Sequence, residues 1–272
     1  MAASPWQDWR VVADLHTHTV HSHGTGTVLA NATVAASRGL ETVGITEHGP
    51  QTIPWVAVDS AATYEQIRVE ARAAEKATGV RVLVGAECNV MNPAGDLDLP
   101  PAVLSGLDLV LAGLHLLIWP ADPRGLPGAA RLVLPNLRPL RLFRRVRARA
   151  RATNTKALTE AVRRYRIDIV THPGLHLPVD TPELARACAA RGTRMEISSR
   201  HHQTDEAYVR AAAREGVDFV FSSDAHRPSQ VGDLARCLRV AERAELAPER
   251  VWNVAAAPAK LSREGPPKPP PK

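Results

Sequence analysis

The sequence predicts an α/β protein whose parallel strands close into a barrel. Short apolar runs alternate with longer amphipathic runs along the chain, and a His, Asp or Glu follows six of about seven of the apolar runs. Repeated strand–helix units imply a parallel sheet. At 272 residues, closure of that sheet into a barrel is the favoured arrangement, and reactive groups of such barrels lie where strands end.

The predicted strands are the short apolar runs. They cover residues 11–15, 41–46, 80–87, 107–115, 166–174, 193–198 and 217–224. The predicted helices cover residues 28–39, 61–79, 181–192, 204–216 and 232–246. In the helix at 181–192, Thr181 is the expected N-cap, Pro182 lies in the first turn and Gly192 follows the end.

The chain is predicted to form one barrel domain over residues 1–262, followed by a disordered Pro- and Lys-rich tail at 263–272. Net charge is +6, and the excess is local: no Asp or Glu lies between Asp122 and Glu160, whereas nine Arg and one Lys do. This basic segment falls outside the strand–helix rhythm, and we interpret about 120–151 as an insertion.

The composition excludes two classes of protein. No apolar run approaches the roughly 18 residues of a membrane span, and the N-terminus lacks the pattern of a secretory signal. Three cysteines without a CxxC pair argue against a disulfide framework and favour a reducing compartment. We therefore expect a cytoplasmic protein without a membrane partner.

The residues that follow the strands have the side chains of a metal centre. Neutral imidazole and carboxylate suit Zn, Mn or Fe, and alternate residues of a strand face the same side, so H-x-H can direct two imidazoles to one metal. The set is too large for one ion and suffices for two or three. Its members are His16, His18, Glu47, His48, Glu87, His115, His172, Asp224 and His226.

Seven motifs resemble, in order, those of the PHP (polymerase and histidinol phosphatase) family: "DLHTHT", "ITEHG", "GAE", "AGLH", "THPG", "EIS" and "SSDAH". The resemblance extends from about residue 12 to residue 261 and is greatest to the small stand-alone phosphatases with three metals. It implies a distorted (β/α)7 TIM-like barrel and a metal-dependent phosphoesterase. As the resemblance assigns them, the metal ligands are His16, His18, Glu87 and Asp224 for the first ion, Glu87, His115 and His172 for the second, and His23, His48 and His226 for the third.

Two departures from the family pattern leave questions open. Glu47 stands where the family usually has Asp, and we expect it to orient a ligand or a water. The loop after H-x-H is a residue shorter, so His23 is the better fit for the third site and His21 is its rival.

The resemblance implies hydrolysis by a metal-bound hydroxide, with Asp224, Glu87 and His226 in the catalytic centre. Arg200 and Arg227 are candidates for binding phosphate. The motifs do not assign a residue that protonates the leaving group, and His201 and His202 are the two candidates. The alternative interpretation of these two residues, and of His176, is that they are ordinary loop histidines. Cys88 reads as a small packed side chain.

The expected substrate is a phosphomonoester of a sugar, nucleoside or amino alcohol, histidinol phosphate among them. One alternative is a nuclease or nucleotide phosphodiesterase, since the basic residues 124–151 emerge near the catalytic face and suit nucleic acid. A plain solvated face is the other interpretation of that segment. A non-catalytic module of the kind attached to polymerases is disfavoured because no ligand is lost.

Overall fold

The computed structural model describes residues 4–256, and the predicted tail at 263–272 lies outside them. The strands of this part are β1 (Trp9–Val11), β2 (Ala13–Thr17), β3 (Thr42–His48), β4 (Arg81–Asn89), β5 (Leu109–Gly113), β6 (Ile169–Val170), β7 (Arg194–Ser198), β8 (Phe219–Ser222) and β9 (Val254–Ala256). The helices are α1 (Val28–Ser37), α2 (Thr63–Thr78), α3 (Pro101–Leu104), α4 (Leu126–Val133), α5 (Arg144–Arg164), α6 (Thr181–Arg191), α7 (Glu206–Ala213) and α8 (Ala235–Arg243).

Strands β2 to β8 form one parallel sheet in chain order. The two edges of this sheet meet: Thr17 forms a parallel bridge with Ala225, and the amide of His18 donates to the carbonyl of Ala225 at 2.8 Å. The sheet is therefore a nearly closed seven-stranded barrel, which confirms the predicted fold class. Strands β1 and β9 pair antiparallel outside it.

The core has two parts. A large apolar cluster fills the space between the barrel and its helices. A small one joins side chains from β2, β5, β6 and β8, among them Leu15, Leu111 and Val220, and so brings β2 and β8 into contact with β5 and β6 across the barrel. The barrel interior is thus packed by side chains, which leaves the carboxyl ends of the strands as the place for a site.

One local prediction was wrong. Helix α6 begins at Thr181, but Asp180 is its N-cap, and the Asp180 carboxylate accepts from the amide of Glu183 at 3.1 Å. A carboxylate is also stabilised by the positive end of the helix dipole, which explains why Asp180, and not the hydroxyl of Thr181, caps the helix.

The basic segment contains α4 and the first turns of α5, two helices that are absent from the predicted set. The crossover helix between β5 and β6 was missed there, since its first half is rich in arginine and mostly exposed. No helix of residues 4–256 is long and apolar enough to cross a bilayer.

Candidate metal centre

The predicted donor residues converge at the carboxyl ends of the barrel strands. His16 lies on β2, His48 ends β3 and Glu87 lies near the end of β4, while the others occupy the loops that follow their strands. A bulge in the pairing of β2 with β3 lies between Asp14 and Thr17, directly at the first histidines. Bulges re-aim side chains and are frequent beside functional sites.

Glu87 is the centre of the cluster, and its side chain is almost fully buried. Its Oε1 lies 2.7 Å from Nε2 of His172 and 3.3 Å from Nε2 of His115. Its Oε2 lies 3.3 Å from Nε2 of His16 and 3.2 Å from Nδ1 of His48. The two oxygens therefore face different histidines, as a carboxylate shared by two cations would.

Asp224 is a second carboxylate of the cluster. Its Oδ1 lies 3.3 Å from Nε2 of His18 and 3.7 Å from Nε2 of His16. Its Oδ2 lies 2.7 Å from Nε2 of His201. The backbone of Asp224 has φ +52° and that of His172 has φ +26°, a region that side chains other than glycine rarely adopt. Strain of this kind is concentrated at functional sites.

The structure distinguishes the two rival histidines of the first loop. His23 joins His18 and His48 in a group of donor atoms, and its Nε2 lies 2.5 Å from Nε2 of His226. The side chain of His21 turns away to Glu70, with Nε2 3.0 Å from Oε2. The donor cluster therefore includes His23 and leaves His21 outside.

Glu47 shapes the loop that carries His23. Its carboxylate accepts from the amide of Thr19 at 2.8 Å and from the hydroxyls of Thr19 and Ser22. Its Oε2 is 3.7 Å from Nδ1 of His18, beyond hydrogen-bond distance. Glu47 thus holds the loop in place, while its expected role in orienting a ligand or a water stays a prediction.

Sequence reasoning missed Glu196, which lies on β7 and is fully buried. One oxygen of Glu196 lies 2.7 Å from Nδ1 of His16, and the other accepts from the amide of His172 at 2.5 Å. A carboxylate behind a metal-binding imidazole fixes the ring and its tautomer. The signal was present in the sequence, since Glu196 is the acidic residue of the otherwise apolar strand end "MEIS".

Asn89, also missed, fixes His115 in the same manner. Its Oδ1 lies 2.7 Å from Nδ1 of His115, and its side-chain amide donates to Asp98 at 2.6 Å. Burial raises the pKa of Asp98 to about 6, although its hydrogen bonds with Asn89 oppose the rise. The buried side chains of Asp98 and Asn89 therefore orient the ring of His115 so that its Nε2 faces Glu87.

The electrostatics of the cluster divide its histidines into two classes. Burial lowers the pKa of His23 to about 4 and that of His226 to about 3, and the nearby His18 adds to both effects. Burial also opposes protonation of His18, but the nearby carboxylates of Asp224 and Glu47 outweigh it and raise its pKa to about 9. Burial works against ionised Glu87 and Asp224 too, yet the surrounding histidines hold both pKa values well below the usual range.

The donor set fits divalent metal ions. Buried ring nitrogens of His18, His23, His48, His115 and His172 have no hydrogen-bond partner. Five overlapping groups of three donors, each within 4.8 Å, occur in the described part of the chain. Four of the groups draw only on the predicted ligands, and the fifth joins His172 and Asp224 with His201. Imidazole and carboxylate donors without thiolate suit Zn, Mn or Fe.

A cavity of about 530 Å³ opens above the cluster. Arg200 lines it, with Nη1 2.9 Å from Nδ1 of His226 and Nε 3.7 Å from Asp224. Arg227 is exposed and is not among the lining residues, so the cavity does not include it. His201 and His176 line the cavity, whereas His202 is exposed outside it. Cys88 is fully buried, and burial raises the pKa of its thiol, as expected of a packed side chain.

Comparison with known proteins identifies the family. The sequence profile of the PHP domain matches residues 14–230. The chain belongs to the PHP domain family.

The PHP domain of this chain is similar to curated relatives along nearly its whole length. A protein named probable phosphatase from Thermoanaerobacter sp. (strain X514) is 31% identical over 255 residues, 90% of this chain and 91% of the relative. Another of that name from Edwardsiella ictaluri is 32% identical over 88% of this chain and 89% of the relative. Among solved structures, histidinol phosphate phosphatase from Lactococcus lactis, complexed with zinc, L-histidinol and phosphate, is 16% identical with a TM-score of 0.58 and covers 88% and 93% of the two chains. That likeness shows the shared fold.

Proposed function

We propose that this PHP domain is a metal-dependent phosphoesterase that hydrolyses phosphomonoesters. The observation that carries the proposal is the cluster of imidazoles and carboxylates at the base of a cavity whose lining includes one arginine, Arg200. The phosphatase names of relatives at 31% and 32% identity support it.

We assign the ligands in three sets that share side chains. One set is His16, His18, Glu87 and Asp224, the second is Glu87, His115 and His172, and the third is His23, His48 and His226. The contacts of Glu87 Oε1 and Oε2 with different histidines support a shared carboxylate. When bound, two or three metal ions supply an acidified water and neutralise charge on the phosphoryl oxygens.

The chain's own residues bind and orient the phosphate and move protons. Arg200 lines the cavity with a side chain that is 42% exposed, and it presents forked donors that can bind a phosphate oxygen. Asp224 and His201 form a hydrogen-bonded pair at 2.7 Å on the cavity wall. We assign to this pair the movement of the proton to the leaving oxygen, with Asp224 orienting the imidazole.

A phosphodiesterase or nuclease is the second candidate. It is favoured by the arginines of residues 131–149, none of which forms an ion pair within the described chain. This segment approaches the cavity, because Arg141 and Arg147 line a neighbouring pocket together with His176.

The test joins metal content to activity. The purified protein is assayed by elemental analysis and with an aryl phosphate and a bis-aryl phosphate in the presence of Mn or Zn. Two to three metals per chain, with monoester turnover that Asp224→Ala abolishes, are the expected result. Diester turnover alone would favour the second candidate. A metal-free protein that stays inactive after reconstitution would contradict both.

A further inference from the structure

Beyond the donor cluster, the lining of the central cavity is mostly aliphatic. The side chains come from three loops, after β3, β5 and β6, all at the carboxyl end of the barrel. They are Val56, Leu114, Leu116, Leu117, Leu175 and Leu177. An apolar wall above a polar base is suited to an organic group that enters together with a phosphate.

The apolar wall is a built feature of the fold. Thr52 forms an antiparallel bridge with Ile118, the amide of Ile53 donates to the carbonyl of Leu117 at 3.2 Å, and that of Trp119 donates to the carbonyl of Gln51 at 2.9 Å. These bonds join the loop after β3 to the loop after β5. The side chains that the two loops present to the cavity are consequently held in a fixed arrangement.

Two polar side chains of the wall, those of Thr52 and Asn89, are already engaged. The hydroxyl of Thr52 donates to the carbonyl of Leu117 at 2.5 Å. The side chain of Asn89 is bonded to His115 and Asp98. Both lining carboxylates, Glu87 and Asp224, belong to the donor cluster. Apart from His176, and from Arg200 and His201, which are assigned to the phosphate and the leaving oxygen, the wall thus offers no free polar side chain for the hydroxyls of a sugar and no separate carboxylate for an ammonium group.

We propose that the leaving group of the substrate is an apolar alcohol, alkyl or aryl, and that the aliphatic wall selects it over polyhydroxylated and amino alcohols. This inference rests on the proposed phosphomonoesterase function and narrows its substrate class. A hydroxyl that is buried against leucine without a partner loses its hydrogen bonds with water, which weakens binding. Each methylene that is buried there leaves water, which strengthens binding.

Phosphonates, which the enzyme cannot hydrolyse, test the wall apart from turnover. Methyl-, propyl- and butylphosphonate and 3-hydroxypropylphosphonate are titrated calorimetrically into the metal-loaded protein. Each methylene is expected to tighten binding about fourfold, and the hydroxypropyl ligand is expected to bind about tenfold more weakly than butylphosphonate of equal length. Equal or tighter binding of the hydroxypropyl ligand would overturn the proposal.

Two variants locate the effect on the wall. Leu117 is 53% exposed and Leu175 is half-buried, so Leu117→Ser and Leu175→Ser leave the fully buried core untouched. Both are expected to weaken butylphosphonate three- to tenfold and methylphosphonate less than twofold. Leu29→Ser, at a 49% exposed position of α1 outside the cavity, is the matched control. Equal losses for the two ligands would contradict the role of the wall.

Turnover separates this inference from the function on which it rests. With n-hexyl phosphate, glucose 6-phosphate and phosphoethanolamine as substrates, all of them esters of aliphatic primary alcohols, kcat/KM is expected to be highest for n-hexyl phosphate. A preference for either polar ester would refute the apolar leaving group and leave the phosphomonoesterase intact. No turnover of any monoester by the metal-loaded protein would refute the function itself.

Discussion

Replacing Glu196 by Gln tests how far a buried carboxylate behind the ligands supports the metal centre. The two oxygens of Glu196 serve two donors, Nδ1 of His16 at 2.7 Å and the amide of His172 at 2.5 Å. An amide of the same shape has one oxygen, so its NH2 group faces one of these donors in either orientation. A hydrogen bond to a charged group contributes about 1.5–3 kcal/mol, so its removal is expected to weaken metal binding on the order of 10- to 100-fold.

The expected result is a metal dissociation constant raised by about 10- to 100-fold, with a similar fall in kcat/KM at limiting metal. Competition with a chelator measures the first quantity, and circular dichroism verifies the fold. Glu75→Gln is the control, because the Glu75 carboxylate also accepts a backbone hydrogen bond, from Val82 at 2.8 Å, but at the amino end of β4. If folded Glu196→Gln binds metal within twofold of the parent protein, the argument from the two donors is refuted.

Three further predictions follow from the same site. His23→Ala is expected to remove metal and reduce kcat/KM by more than tenfold, whereas His21→Ala changes both less than twofold; equal effects, measured by elemental analysis and kinetics, would contradict the choice between them. For the metal-free protein, stability in urea is expected to be greatest near pH 6.5. Below that pH, His23 is protonated in the unfolded chain but stays neutral in the folded one, because its pKa is lowered to about 4, so stability falls as the pH falls. Above that pH, His18 stays protonated in the folded chain, because its pKa is raised to about 9, but loses its proton in the unfolded one, so stability falls as the pH rises. A profile that is flat from pH 4 to 9 would count against these shifts. Changing Arg144 and Arg145 to Glu is expected to leave aryl phosphate hydrolysis intact and to weaken oligonucleotide binding, with a smaller salt dependence. Unchanged oligonucleotide binding would remove the second candidate function's support.

The donor residues could be predicted from sequence because parallel strands bring their carboxyl ends to one edge. A His, Asp or Glu after each of six strands is then a spatial cluster, whatever the loops between them do. The same reasoning left His21 and His23 unresolved, since a difference of two positions in a loop depends on the hydrogen bonds of Glu47 with Thr19 and Ser22.

The residues that support the ligands were harder to predict. Glu196 acts through contacts at the ends of two other strands, and Asn89 is held by Asp98, which lies nine positions further along the chain. Helix α5 was missed because its polar first half gives no apolar periodicity. The joined loops at Thr52 and Ile118 are far apart in sequence, and nothing local in either loop indicates the pairing.

The junction of β2 with the segment after β8 has a consequence for how the protein matures. Asp224 and His226 lie more than two hundred residues along the chain from His16, so a nascent chain has an incomplete donor set until nearly the whole barrel has emerged. Contacts between such distant segments form late, because the entropy of closing the intervening chain is lost before the contacts are gained. Metal ions that need the complete donor set would bind the closed barrel in preference to open intermediates, and mass action would then draw late folding intermediates toward closure. We therefore expect the yield of folded protein, as well as its activity, to rise with the supply of metal during synthesis.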